Sequence, residues 1–121
     1  MKRILVAEDE QALRMLIGDV LEDEGYIVTL VANGKEALEH IQNNDYELVI
    51  VDYMMPEMTG LEVISQTRQL PDKQDLIMLM LSAKSQQSDQ ARVKDIGANY
   101  FMPKPFSPSG LAKKVGEILG D

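Results

Sequence analysis

Five short apolar runs alternate with longer stretches whose apolar residues recur at spacings of three and four, and this alternation constrains the fold more than any other feature. The runs are Ile4–Ala7, Ile27–Val31, Leu48–Val51, Leu76–Leu81 and a weaker one at Asn99–Met102. Between them Leu13, Leu16, Ile17, Val20 and Leu21 form one helical stripe, and Ala37, Leu38 and Ile41 a second. Leu61, Val63, Ile64 and Leu70 suggest a third, Ala91, Val93 and Ile96 a weaker fourth, and Leu111, Val115, Ile118 and Leu119 close the chain. Helix starts are marked by Asn33 with Glu36 three residues on, by Thr59 with Glu62, and by Ser107 followed by Pro108. Gly25 and Gly97 sit where helices should stop. Five β/α units predict an α/β fold, a doubly wound five-stranded parallel sheet with helices on both faces. The first and third runs are almost wholly apolar, as strands covered on both sides require. Pro103 cannot donate to a sheet ladder, which puts the fifth strand at an edge.

A chain of 121 residues suits one compact domain, residues 1–121, and no linker, repeat or low-complexity segment interrupts it. The formal net charge of −8 repels phosphate backbones, so direct nucleic-acid binding is not expected. The apolar run after Met1-Lys2-Arg3 is too short for a signal peptide or a membrane span, and a cytoplasmic location is expected. The absence of cysteine excludes disulfides and thiolate metal sites and fits a reducing compartment.

In open α/β sheets ligands bind beyond the carboxyl ends of the strands. Glu8 and Asp9 follow the first run, Asp52 the third, Ser82 the fourth and Lys104 the fifth. Each has a plain structural explanation alone: Asp9 as a helix cap, Glu8 as a solvated loop residue, Ser82 as a turn hydroxyl, Lys104 as an exposed lysine before Pro105. Together, four of the five runs deliver a polar group to one edge. At ~4 Å and an effective dielectric of about 20, each pair of like charges costs about 4 kcal/mol. A hard divalent cation would offset this, and oxygen ligands without His or Cys point to Mg²⁺ rather than zinc. A carboxylate, a hard cation, a lysine and a hydroxyl make a phosphoryl-transfer site, with Asp52 as the nucleophile that forms an acyl phosphate. No G-x-x-x-x-G-K-[ST] or G-x-G-x-x-G sequence supports nucleotide binding. The lone His40 is read as structural. The methionines are read as core filler, with Met54, Met55 and Met58 candidates for the pocket rim.

From Lys2 to about Leu119 the chain resembles response-regulator receiver domains of the chemotaxis-protein type. The resemblance is carried by Glu8-Asp9, by Asp52-Tyr53-Met54-Met55-Pro56-Glu57-Met58-Thr59-Gly60 against the family's D-x-x-M-P-x-M-x-G, by Ser82-Ala83 and by Lys104-Pro105. It implies a flavodoxin-like (βα)5 sheet with strand order 2-1-3-4-5. It implies that Asp52 accepts phosphate from a phosphohistidine on a sensor histidine kinase or histidine phosphotransfer protein. Mg²⁺ would be held by Asp9, by Glu8 through a longer or water-mediated contact, by Asp52 and by the backbone carbonyl of Met54. Ser82 would hydrogen-bond the phosphoryl group and Lys104 would pair with it, the Lys104-Pro105 bond being cis. Phe101 matches the family's switch aromatic without a tyrosine hydroxyl, and reads equally as a core aromatic.

The same resemblance places a partner or output-domain surface at residues 86–120, with the chain a monomer or a weak phosphorylation-dependent homodimer. Met54 and Lys84 flank the site and are expected to affect phosphate loss. The chain is expected to be a switch rather than an enzyme, either a single-domain regulator or a fragment of a longer protein. Three other readings fit the residues less well. An aspartyl-phosphate phosphatase would need an acid where Met54 stands. An unused pseudo-receiver site is disfavoured by the complete residue set. A flavin site is disfavoured by the acidic residues after the first run.

Overall fold

In the structure, a computed structural model that describes residues 1–83 and 94–120, the five runs become five strands. They are β1 (Arg3–Ala7), β2 (Ile27–Val31), β3 (Leu48–Asp52), β4 (Met78–Ala83) and β5 (Tyr100–Lys104). All neighbours pair in parallel, in the order β2-β1-β3-β4-β5, so the predicted architecture and the edge position of Pro103 both hold. Four helices are described: α1 (Gln11–Asp23), α2 (Gly34–Asn43), α3 (Gly60–Gln69) and α4 (Pro108–Leu119). Ala91 and Val93 of the weaker stripe, and Lys84, lie outside the described residues.

Strand alternation divides the core between the two faces of the sheet. Leu5, Ala7, Val49, Val51, Met78 and Met80 point to the face covered by Ala37 and Ile41 of α2 and Val63 and Ile64 of α3. Ile4, Val6, Leu48, Ile50, Leu79 and Leu81 point to the other, covered by Ile17 and Leu21 of α1 and Leu111 and Val115 of α4. Every residue of β3 is buried, which explains its unbroken apolar run.

The capping signals act as the local chemistry predicts. Asn33 Oδ1 accepts from Glu36 N–H at 2.8 Å, Thr59 and Glu62 form a reciprocal capping box, and Ser107 accepts from Gly110 N–H ahead of Pro108. Gly25 follows α1 at φ 93°, a left-handed conformation that favours glycine.

Three expectations need correction. Leu16 is 41% exposed, because the buried stripe of α1 is carried by Ile17 and Leu21, with Leu13 and Val20 packed at its margin. The fourth strand starts at Met78 and runs through Ala83, so Ser82 lies within the strand rather than after it. Asp9 does not cap α1: the cap position belongs to Glu10, whose own side chain makes no capping bond, and the Glu10 N–H donates to Glu8 Oε2 at 3.4 Å.

Candidate functional site

β1 and β3 lie side by side, so Ala7 pairs with Val51 and the chain leaves the two strands at the same level. That juxtaposition brings Glu8, Asp9 and Asp52 together, with one carboxylate oxygen from each within 4.8 Å of the others. Glu8 is fully buried, its N–H continuing the ladder to the Val31 carbonyl at 3.1 Å, while Asp9 is exposed. Asp52 is 5% exposed and is the last residue of β3.

Lys104, the last residue of β5, reaches across β4 to both buried acids. Its Nζ lies 2.9 Å from Glu8 Oε1 and 2.8 Å from Asp52 Oδ1. The lysine is therefore an internal counter-ion, not the solvated side chain its plain reading suggested. The peptide bond to Pro105 is cis. Ser82 is fully buried, and its Oγ has no hydrogen-bond partner among the described residues. An unsatisfied buried hydroxyl costs about 1–3 kcal/mol.

Electrostatics follow from burial. The Glu8 carboxyl is pushed up to about 7, chiefly by loss of solvent, with Lys104 opposing the shift and the Asp52 and Asp9 carboxylates adding to it. Burial also raises Asp52, against the pull of Lys104. Burial alone would lower Lys104, but its hydrogen bonds to Asp52 and Glu8 hold it above the ordinary lysine value. One ammonium thus pairs with two of the three clustered carboxyl groups. The donor set is all oxygen and carries an excess of negative charge, which suits a hard divalent cation.

The signature segment Asp52–Gly60 forms the β3–α3 loop. Gly60 N–H donates to the Tyr53 carbonyl at 2.9 Å and Tyr53 N–H to the Leu81 carbonyl at 2.8 Å, tying the loop to β4. A β-carbon on Gly60 would overlap the Asp52 carbonyl oxygen, so only glycine lets α3 begin so close to β3. Met54 is 55% exposed at the rim, and Met58 is partly buried. Met55, expected there too, instead turns into the core. Beside Lys104 a cleft of about 450 Å³ is walled by Leu13, Ala83, Pro105 and Phe106.

Sequence reasoning missed Arg14, whose Nη1 donates to the Glu8 carbonyl at 2.8 Å and braces the β1–α1 turn. Its place five residues past the acidic pair, in the first turn of α1, was the available signal. Phe101 pairs with Met80 in the sheet and packs partly buried against the α2/α3 side of the core. His40 is half-buried, with Tyr46 Oη 3.4 Å from its Nδ1, and lies away from the site.

The family model of the response regulator receiver domain matches residues 4–116. The alkaline phosphatase synthesis transcriptional regulatory protein PhoP of Bacillus subtilis is 37% identical over 98% of this chain and 48% of its own length. The chain spans about half the length of the curated relatives it matches. Among solved structures, the chemotaxis response regulator CheY4 of Vibrio cholerae superposes with a TM-score of 0.90 at 30% identity, covering 98% of both chains. The receiver domain of a sensor histidine kinase from Pseudomonas aeruginosa PAO1, solved with a magnesium ion coordinated in its active site cleft, superposes at 0.89 with 26% identity over 99% of this chain and 98% of its own. With its (βα)-wound sheet and its acidic cluster at the strand ends, the chain belongs to the response regulator receiver domain family of two-component systems.

Proposed function

We propose that residues 1–121 form a phosphoacceptor domain that takes a phosphoryl group onto Asp52 in a Mg²⁺-dependent reaction. The observation that carries this reading is the clustering of Glu8, Asp9 and Asp52, with Lys104 paired to Glu8 and Asp52, beside a buried hydroxyl that has no partner among the described residues. A transferred phosphoryl group would supply the acceptor oxygen that Ser82 Oγ lacks, and a further anionic partner for Lys104 Nζ.

Asp52, Asp9, Glu8 and the Met54 carbonyl would hold the cation, which when bound supplies positive charge to the transferring phosphoryl oxygens. The chain's own residues do the rest. An Asp52 carboxylate oxygen attacks phosphorus, an acyl phosphate bond forms, and the donor's P–N bond breaks. The imidazole leaves carrying that electron pair and picks up a proton. Lys104 gives up its Asp52 contact and pairs with the new phosphoryl charge. Ser82 donates its hydroxyl to a phosphoryl oxygen. No side chain two residues beyond Asp52 can act as an acid, because Met54 stands there, so the domain works as a switch rather than a turnover enzyme.

The donor is a sensor histidine kinase or a histidine phosphotransfer protein, in the cytoplasm. The signal leaves through the 86–120 face, with Ser82 and Phe101 as the switch, toward a downstream target or output domain. The domain is a monomer or a weak phosphorylation-dependent homodimer and does not itself bind nucleic acid. Among the described residues no helix is long and apolar enough to cross a membrane.

The test is incubation with acetyl phosphate, with and without Mg²⁺, read by intact mass beside Asp52→Asn. The expected result is a gain of one phosphoryl group that needs Mg²⁺ and is absent in the variant. A gain that persists in Asp52→Asn, or no gain from acetyl phosphate or any histidine-phosphorylated donor, overturns the proposal.

A further inference from the structure

Three backbone hydrogen bonds shape the β3–α3 loop. Tyr53 N–H bonds the Leu81 carbonyl at 2.8 Å, Met58 N–H the Pro56 carbonyl at 2.8 Å, and Gly60 N–H the Tyr53 carbonyl at 2.9 Å. Between them Glu57 adopts φ 69°, a left-handed backbone that costs a non-glycine residue about 1–2 kcal/mol. The loop's outer side rests on the first residue of α2. A β-carbon on Gly34 would overlap the Met58 carbonyl oxygen and lie 2.8 Å from Met58 Cβ and 2.9 Å from its carbonyl carbon. The nearest obstacle is backbone, so no side-chain rotation relieves it.

Nothing else asks for glycine at this position. Gly34 is not among the residues with positive φ, and helix propensity favours alanine by up to about 1 kcal/mol. Space alone demands it. The wall behind it is firm: Asn33 caps α2, and Ala37, Leu38 and Ile41 are buried in the core. The loop pressed against that wall is the one that leaves Asp52 and carries Met54.

We propose that Gly34 is a positioning residue for the cation site: by letting α2 lie directly against Met58, it sets where the 53–59 loop, and with it the Met54 carbonyl, sits relative to Asp52. The inference rests on the reading of the acidic cluster as a Mg²⁺ site. A methyl group at position 34 moves the loop without touching a ligand.

The measurement is the Mg²⁺ dissociation constant by isothermal titration calorimetry, with folding checked by circular dichroism. Four proteins are compared: wild type, Gly34→Ala, Met58→Gly and Val115→Ala. Met58→Gly loosens the same contact from the loop side and leaves α2 unaltered. Val115→Ala destabilises the core on the opposite face of the sheet. Gly34→Ala is expected to bind on the order of tenfold more weakly, as loss of a ligand's support does. Met58→Gly should weaken binding in the same direction, and Val115→Ala should match wild type.

A folded Gly34→Ala with wild-type affinity overturns the inference. So does an equal loss in Val115→Ala, which would trace the effect to lowered stability. Should Gly34→Ala fail to fold, wild-type affinity in Met58→Gly overturns it. A wild-type protein that binds no Mg²⁺ sinks the reading of the site itself, an outcome distinct from these.

Discussion

The two ends of the sheet both bury charged side chains, and they treat them in opposite ways. At the end where the strands begin, Lys73 is 7% exposed, and its Nζ donates to the Asn44 carbonyl at 2.9 Å and to Asp45 at 2.8 Å. Arg68 donates to the Gly97 carbonyl through Nε at 3.0 Å and Nη2 at 2.7 Å, to the Lys73 carbonyl at 3.1 Å and to Asn99 Oδ1 at 2.8 Å. Arg68 is met by neutral oxygens, and Lys73 by one carbonyl and one carboxylate. At the end where the strands finish, three carboxyl groups cluster, one lysine pairs with two of them, and Ser82 Oγ has no partner among the described residues. The contrast separates a satisfied network that holds the fold from an unsatisfied one.

Substitutions should therefore have opposite signs at the two ends. The largest effect is expected at the beginning of the strands. Arg68→Ala removes four hydrogen bonds, three of them to partly buried backbone carbonyls, and should lower unfolding free energy by about 3 kcal/mol. Urea titration measures this, and Mg²⁺ affinity should not change. A loss well under 1 kcal/mol would show that this end is not the structural one.

At the other end, removing charge should stabilise the metal-free protein, and the gain should depend on pH. Glu8 binds its proton more tightly in the folded state, with a pKa near 7 against 4.5 unfolded. Its contribution is therefore present in full below pH 4.5 and is lost as pH rises through about 7. Glu8→Gln lacks this loss. Thermal unfolding in chelator should show the variant gaining on wild type from pH 4.5 to 8, by on the order of 2 kcal/mol. A gap that stays constant across that range would break the comparison.

The smallest effect concerns Ser82→Ala. Removing a buried hydroxyl without a partner should raise stability by about 1 kcal/mol while it slows phosphorylation by acetyl phosphate. Denaturant melts and intact-mass time courses on one preparation separate the two effects. A stability loss would mean that the hydroxyl is satisfied in the resting protein.

The strand-end site was largely legible in the sequence because each member follows a short apolar run directly. Glu8, Asp52, Ser82 and Lys104 could be named from position alone. What they touch could not. Lys104 had a plain reading as an exposed residue, and its pairing with Glu8 spans 96 residues of chain. The opposite end was not legible: Arg68 and Asn99 are 31 residues apart, and neither belongs to a recognisable pattern. Met55 illustrates a different limit, since its neighbours Met54 and Met58 keep the rim position that it leaves for the core.

The sequence by itself determined the elements, their period, the caps at Asn33, Thr59 and Ser107, and the sheet edge to which the polar groups are delivered. These depend on interactions within about four residues, or on the alternation of side chains along a strand. Only the tertiary structure decided that Glu8 is fully buried, that Lys104 bridges two acids, that Ser82 has no partner among the described residues, and that Gly34 leaves no room for a β-carbon against Met58. Such facts arise where strands and helices distant in sequence are packed into contact. There the energy of a charge or a methyl group is set by its neighbours in space, not along the chain.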